Sequence, residues 1–265
     1  AAQNALPGES LYSVKVGMNE KILSFIAFSD EKRAEYDVHL TQTRLQEMET
    51  VVSMNSENDA KNNQVKELLD KHIASATLRA ERISKKKQPE ASAKVNSEIE
   101  ASLQAHEKVL DVLAGSTNKK DKQKNTVNNF VSELKVSTNQ VVAARERDEK
   151  KLANRQDNQS SDAMKSSAQK RMETAQKTLA EFKEFIADKK SIVGADSDEK
   201  SELAIENAGL LIEQGSTKMT LDESGEAFSD FQQAIRIIKE AQIYIGAEAE
   251  FNIKIPSKNH NILNQ

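Results

Sequence analysis

Apolar residues recur every three or four positions through most of this chain, and that spacing places them along one side of an α-helix. The clearest stretch alternates steps of four and three residues, as the seam of a coiled coil does. Its members are Ala34, Val38, Thr41, Leu45, Met48 and Val52. Helix-breaking residues are scarce, with 8 Gly and 3 Pro among 265 residues, so long helices are permitted. The chain is therefore predicted to be all-α.

Aromatic residues make up only 4% of the chain. They cannot fill a thick core with large rings, but Leu, Ile, Val, Ala and Met suffice for narrow contacts between helices. We therefore predict an elongated multi-helix bundle with coiled-coil-like antiparallel helices and a short extended C-terminal tail. The first helix is predicted to bury Leu11, Val14, Met18, Ile22 and Phe25. The helix after Gly194, which is predicted to end near Gly215, should bury Leu203, Leu210 and Leu211.

Pro, Gly and polar stretches divide the predicted helices into five regions. These are an extended N-terminal arm at 1–10, an N-terminal helical bundle at 11–115 closed by Gly115, a long helix or helical hairpin at 116–195, a C-terminal helical hairpin at 196–248, and an extended or disordered tail at 249–265. In the third region the apolar stripe disappears between Ala153 and Asp162. The stretch 125–193 is therefore one long helix with an exposed middle or two antiparallel helices. Two helices fit better, because a long helix needs a partner for its apolar side.

The sequence disfavours several classes of protein. The chain lacks Cys, which excludes disulfide frameworks and thiolate zinc sites. No apolar run approaches a length of about 20 residues, which a transmembrane helix needs. The net charge is −4, and no basic face with interleaved aromatic residues is present, so we expect no nucleic-acid partner.

The histidines are His39, His72, His106 and His260. His72 and His106 stand on or beside the apolar stripes of successive predicted helices, which is typical of buried, hydrogen-bonded histidines. His106 and Glu107 begin like the helix motif of zinc proteases, but the second His of that motif is missing. No nucleophile elbow, phosphate-binding loop or dinucleotide-binding motif is present. We therefore predict no enzyme activity, no catalytic or metal-binding residue and no cofactor.

The stretch Ala5–Lys15 reads Ala-Leu-Pro-Gly-Glu-Ser-Leu-Tyr-Ser-Val-Lys. It resembles the opening of a bacterial domain family of unknown function, whose members begin Ala-Leu-Pro-Gly-Asp-Pro-Leu-Tyr-Pro-Val-Lys. In that family a helix follows, and then a Phe-Ser-x-Glu-x-(Arg/Lys)-Ala-Glu segment, which here corresponds to Phe28–Glu35. The resemblance covers the chain from Ala5 to about Ala114. Ser10 and Ser13 replace two prolines of the family motif.

The resemblance implies an α-helical bundle and secretion or membrane anchoring just before the motif, and it implies no ligand, activity or catalytic residue. A start without Met fits a mature chain whose signal peptide has been removed, and it fits an engineered start equally. The residues of the motif also permit a physical interpretation. Pro7 and Gly8 are expected to form a turn, Leu11 and Tyr12 to pack as a plug against the following helices, and Lys15 to face solvent or a nearby acid.

We therefore expect a non-enzymatic, extracytoplasmic protein of the cell envelope or cell surface. Its role would be structural or adhesive, for example as a subunit that assembles into a filament or layer. The alternative is a periplasmic-type helical binding module, such as a chaperone or stress sensor. Partners are expected to be other proteins or further copies of the chain. The residues expected to make these contacts are Leu6, Pro7, Leu11, Tyr12, Phe251, Ile253 and Ile255.

Overall fold

The computed structural model describes residues 5–20, 29–54, 59–116, 121–154, 158–189 and 195–255. In these ranges the chain forms eight α-helices and one π-helical turn and no β-strand, which confirms the all-α prediction. The helices are α1 (Tyr12–Val14), α2 (Asp30–Ser53), α3 (Asp59–Lys85), α4 (Pro89–Ser116), α5 (Asp121–Ala153), α6 (Asn158–Lys189), α7 (Ala195–Thr220) and α8 (Ser224–Phe251). The π-helical turn, Lys15–Asn19, follows α1 directly.

Two helices begin at residues that favour a helix start. The Ser29 hydroxyl caps α2 by accepting a hydrogen bond from the Lys32 N–H at 3.1 Å. Asp30 and Glu31 occupy the first turn, where carboxylates meet the positive end of the helix dipole. α4 begins at Pro89, a position where the missing N–H leaves no helical hydrogen bond unmade.

The bounds of the helices can be compared with the predictions for the region 125–193 and for the first helix. α5 ends at Ala153 and α6 begins at Asn158, so the region 125–193 holds two helices. The first helix, expected from Leu11 to about Phe28, can be followed only to Glu20, because residues 21–28 lie outside the described ranges. None of the described helices has both the length and the apolar content needed to span a membrane.

Gly115 and Gly215 do not end helices, and the prediction that they do is wrong. α4 continues through Ser116 and α7 continues to Thr220. Gly215 is instead a position of close contact, because a Cβ there would come within 2.6 Å of the Phe231 ring. The chain reverses after α7 at Asp222, whose φ of 61° is a left-handed conformation that Asp tolerates better than most residues.

The C-terminal part of α8 also differs from expectation. The helix continues through Phe251, into the region predicted as a tail, and ends where Asn252 adopts a left-handed φ of 51°. Residues 253–255 form neither helix nor strand and lie in the region predicted as an extended or disordered tail. Ile255 is buried, and its N–H donates to Glu248 Oε1 at 2.7 Å. The same carboxylate pairs with Lys200 on α7.

Contacts divide the chain into two compact units, residues 1–141 and 142–265. This division falls inside α5. In the first unit α2, α3 and α4 pack against one another, and the stripe predicted for α2 is buried. The first part of α5 contacts α3 through an ion pair between Lys66 and Glu133 at 2.8 Å.

In the second unit α6, α7 and α8 pack against one another. Their core is built from Ala175, Phe182, Ala204, Ala208, Leu211, Phe231, Ile235, Ile238 and Ile245. Leu203 and Leu210 are 41% and 44% exposed, so the prediction that they are buried is wrong. The buried side of α7 carries Ala204 and Ala208, whose small side chains allow the close packing that the narrow core requires.

Candidate functional site

The N-terminal motif begins with a tight turn from Leu6 to Glu9. The Glu9 N–H donates to the Leu6 carbonyl at 3.0 Å, and Gly8 has a φ of 88°. Pro at the second position and a positive φ at the third are typical of a type II turn. The Glu9 carboxylate closes the turn by accepting the Leu6 N–H at 2.9 Å. The prediction that Pro7 and Gly8 form a turn is confirmed.

Immediately after this turn, Tyr12 and Lys15 face α2 and meet Glu47. The Tyr12 hydroxyl donates to Glu47 Oε2 at 2.8 Å, and Lys15 Nζ donates to Glu47 Oε1 at 2.6 Å. Lys15 Nζ also donates to the Ala5 carbonyl at 3.2 Å, which ties the start of the segment to its middle. Of the two expectations for Lys15, the nearby acid is therefore correct.

Arg44 completes this cluster from the side of α2. Its Nη1 donates to the Tyr12 hydroxyl at 2.9 Å, and its Nη2 pairs with Glu20 and lies 3.3 Å from Glu47. We call the five residues Tyr12, Lys15, Glu20, Arg44 and Glu47 the N-terminal clamp. They join the segment 5–20 to the first unit through hydrogen bonds and ion pairs.

The charges of the N-terminal clamp cancel, because two cations meet two carboxylates. Arg44 is 0% exposed, so none of its charge is screened by water. Burial raises the pKa of the Tyr12 hydroxyl well above its ordinary range; Arg44 opposes this rise and Glu47 adds to it. Tyr12 therefore stays protonated and keeps donating to Glu47. A buried network of ion pairs stabilises the fold only while each charged group keeps its partner.

The predicted contact residues divide between buried and exposed positions. Pro7, Tyr12 and Ile255 are buried, whereas Leu6, Phe251 and Ile253 are half-buried. Tyr12 packs against the following helices as predicted. Leu11 is 43% exposed, so the prediction that it also packs there is wrong. The reason is geometric: Tyr12 and Lys15 lie three positions apart and face α2, which turns Leu11 and Val14 outward.

Sequence reasoning missed Glu20, Arg44 and Glu47. Arg44 and Glu47 lie one helical turn apart beside the α2 stripe, and that spacing was the only local signal for them. Glu47 lies 35 positions from Tyr12 along the chain, and Arg44 lies 32. Pairing over such a separation leaves no periodic pattern in the sequence.

His72 belongs to a second polar cluster, between α2 and α3. Asp37 accepts hydrogen bonds from the Ser75 hydroxyl at 2.6 Å and from Arg79 Nε at 2.9 Å, and His72 Nδ1 lies 3.5 Å from its other oxygen. Ser, His and Asp meet here, but the Ser75 hydroxyl donates to Asp37 and not to His72. In a catalytic triad the serine hydroxyl would donate to the histidine, which is not the arrangement here. The cluster instead joins α2 to α3.

His106 lies in the interior of the first unit, as its place beside the α4 stripe predicts. Its Nδ1 is 2.6 Å from Glu49 Oε1, and both side chains are buried. His39 is exposed, and His260 lies outside the described residues. Among the residues that the structure describes, no group of three or more His, Cys, Asp or Glu side chains is arranged to hold a metal ion.

A groove of about 210 Å³ lies between α2, α3 and the first part of α5. Its lining residues are Met48, Val52, Asn62, Asn63, Lys66, Thr126, Val127, Asn129, Phe130 and Glu133. The Asn62 Oδ1 atom is buried and has no hydrogen-bond partner.

Comparison of the chain with protein-family models, with curated proteins and with solved structures finds no match.

Proposed function

We propose that this chain is a non-enzymatic structural or adhesive protein of the cell envelope or cell surface, which associates with further copies of itself through its N-terminal segment. The N-terminal clamp is the observation that supports this proposal. It attaches a short segment of the chain to α2 through five charged or hydroxyl-bearing side chains, two of which, Arg44 and Glu47, belong to the receiving helix.

The chemistry of the clamp favours specific docking. Moving charges out of water costs free energy, and a buried ion pair recovers that cost only when its geometry is correct. The pairs of the clamp therefore favour a single alignment of the segment on α2. The receiving surface on α2, formed by Arg44 and Glu47, requires a segment that brings a hydroxyl, a cation and a carboxylate at the correct spacing. The same segment of a neighbouring copy meets that requirement equally well, which is the basis of exchange between identical subunits.

The extracytoplasmic location rests on the resemblance of the N-terminal motif. Five residues of that motif have a structural task here. Pro7 and Gly8 form the turn, Tyr12 and Lys15 enter the clamp, and Ala5 supplies a carbonyl to Lys15. These tasks fit the family expectation of a helical bundle, and the export signal or anchor is proposed from the resemblance alone.

Sedimentation velocity over a hundredfold range of protein concentration tests the proposal. We expect the unaltered chain to associate as concentration rises, and a chain lacking residues 1–20 to remain monomeric. Glu47→Gln should weaken association, because Arg44 and Lys15 lose their shared carboxylate. Glu213→Gln, at an exposed position of α7, is the matched control and should leave association unchanged. A strict monomer at every concentration would overturn the proposed assembly.

A second candidate is a helical binding module, such as a chaperone or stress sensor. The exposed leucines of the second unit favour it: Leu203 and Leu210 lie two turns apart on α7, and Leu221 follows that helix with 63% exposure. Apolar side chains on one helix side can hold an unfolded client. This candidate predicts saturable binding of an unfolded polypeptide by the monomer, lost in Leu203→Gln/Leu210→Gln. Binding that persists in this double variant would contradict it.

A further inference from the structure

We infer that the outer side of α7 binds a basic amphipathic helix of another protein. This side carries the exposed Leu203 and Leu210 together with Glu199, Glu206 and Glu213, and we call these five residues the α7 outer face. The inference rests on the second candidate function proposed above, because it names the class of polypeptide that this face takes. It depends on the spacing of the leucines, the acids around them, and the partners of the α7 lysines.

The spacing of the two leucines favours a helical partner. Leu203 and Leu210 lie seven residues apart, so they occupy the same side of α7 with about 10 Å between them along its axis. A second helix with apolar residues at the same spacing can place them against both leucines, as the helices of a coiled coil do. In an extended segment, residues about 10 Å apart are about three positions apart and point to opposite sides.

Acidic side chains surround both leucines. Each leucine has a glutamate four positions before it and another three positions after it, and Glu206 is shared between the two. Residues at these spacings are neighbours on the surface of a helix. All three glutamates of the face are exposed. A partner helix that carries Lys or Arg beside its apolar residues would therefore meet carboxylates around each leucine.

The two lysines of α7 do not serve as partners for these glutamates, because both are engaged with α8. Lys200 pairs with Glu248, and Lys218 lies 2.9 Å from Asp230. The cations of the helix thus join it to the core of the second unit, whereas its exposed acids face outward. A face of this charge attracts a cationic segment and repels an anionic one, so charge complementarity selects the partner.

The length of the face determines the size of the partner and the strength of the complex. Glu199 and Glu213 are separated by about 21 Å along the axis, so a helix of about 15 residues or more is needed to cover the face. The apolar area of two leucines is small, which makes the contribution of the charges important. We therefore expect a weak complex that salt weakens further.

Three labelled peptides of about 18 residues test the inference on the full chain by fluorescence anisotropy. All three have leucines in a seven-residue repeat, and the flanking residues are Lys in the first, Gln in the second and Glu in the third. We expect the Lys peptide to bind with a Kd of about 100 μM or lower, and the Gln peptide to bind about tenfold more weakly. The Glu peptide should not bind. Raising the salt concentration from about 0.05 M to about 0.5 M should weaken binding of the Lys peptide about tenfold.

Two pairs of substitutions with the same change of net charge locate the contact. Glu199→Gln/Glu206→Gln removes two carboxylates of the α7 outer face and should weaken binding of the Lys peptide about fivefold. Glu173→Gln/Glu181→Gln, at exposed positions of α6, is the matched control and should leave this Kd unchanged. Equal losses in the two double variants would show that the peptide responds to net charge alone, and they would overturn the inference.

The leucines are tested by Leu203→Gln/Leu210→Gln, which should abolish binding of the Lys peptide and leave sedimentation of the chain unchanged. A change in self-association in this variant would assign the face to a second copy and overturn the inference. Equal affinity for the three peptides would also overturn it, but would leave the second candidate function in place. If no peptide binds, the inference fails, and a titration with unfolded polypeptide then decides separately on the second candidate.

Discussion

Gly8 and Gly17 belong to the same N-terminal segment, but their surroundings differ. Gly8 has a φ of 88°, and a Cβ there would also meet the Lys61 side chain. Gly17 lies in the π-helical turn, and a Cβ there would meet nothing within 4 Å. At the scale of single residues, these two glycines show which positions of the N-terminal segment depend on backbone conformation.

We expect Gly8→Ala to destabilise the first unit by about 1–2 kcal/mol, because a residue with a Cβ is strained at positive φ. The Lys61 side chain is flexible and can move, so the strain of the turn should dominate. Gly17→Ala is the matched control and should be neutral or stabilising by up to about 1 kcal/mol. Urea unfolding followed by circular dichroism measures both. Equal effects of the two substitutions would argue against the type II turn.

Glu47 is the acceptor that three members of the N-terminal clamp share. Glu47→Gln leaves Lys15 and Arg44 without their common carboxylate in the interior, and we expect a loss of about 3–5 kcal/mol in the free energy of unfolding. Glu213→Gln changes an exposed side chain and should shift it by less than about 0.5 kcal/mol. Similar unfolding midpoints for both variants would contradict a buried network.

At the scale of helices, Asp37 and Asp230 make opposite contributions to pH dependence. Burial raises the pKa of the Asp37 carboxyl, but hydrogen bonds from His72, Ser75 and Arg79 outweigh burial and bring this pKa below its ordinary value. Burial raises the pKa of Asp230, and Lys218 offsets only part of that rise. Asp37 joins α2 to α3, and Asp230 joins α8 to α7 through Lys218 at 2.9 Å.

A lowered pKa in the folded state means that Asp37 stabilises the fold above the unfolded-state pKa of about 3.9, and that this stabilisation is lost as pH falls below it. The raised pKa of Asp230 has the opposite sign, so its contribution grows as pH falls through its folded-state pKa. Between pH 5 and pH 3, the destabilisation caused by Asp37→Asn should therefore shrink and that caused by Asp230→Asn should increase. Urea midpoints measured at several pH values check both. Trends of the same sign would contradict the assignment.

The start of α8 approaches the end of α5 closely at Gly225. A Cβ there would lie 2.6 Å from the carbonyl carbon of Leu152, which is backbone and cannot rotate away. We expect Gly225→Ala to destabilise the second unit by about 1–3 kcal/mol. Gly246→Ala, in the same helix with nothing within 4 Å, should be neutral or stabilising. Thermal unfolding of both variants gives the comparison, and a neutral Gly225→Ala would exclude the close approach.

The start signals at Ser29 and Pro89 could be recognised from the sequence, because a cap and a first-turn proline act within a few residues. The buried side of α7 could not. One edge of its core face carries Ile205 and Ile212, and the other edge carries Leu203 and Leu210. Because both pairs have helical spacing, the sequence does not decide which of them is buried. The clamp could not be predicted either, because Glu47 meets Tyr12 only once α2 and the N-terminal segment are in place.

At the scale of the whole molecule, each unit holds one end of the described chain by a buried Lys–Glu pair. In the first unit Lys15 meets Glu47, and in the second unit Lys200 meets Glu248, which also accepts the Ile255 N–H. Both ends are therefore attached by specific polar contacts as well as by apolar burial. Of these two attachments, the proposed association of copies uses only the one in the first unit.

The central claim is that the N-terminal clamp folds the segment 5–20 onto α2. Hydrogen exchange of the Tyr12 and Lys15 amides tests it most directly, since both donate to backbone carbonyls inside that segment. We predict that the unaltered chain protects these amides and that Glu47→Gln lowers their protection by about a hundredfold or more. Exchange of both amides in the unaltered chain at the rate of an unstructured peptide would contradict the claim.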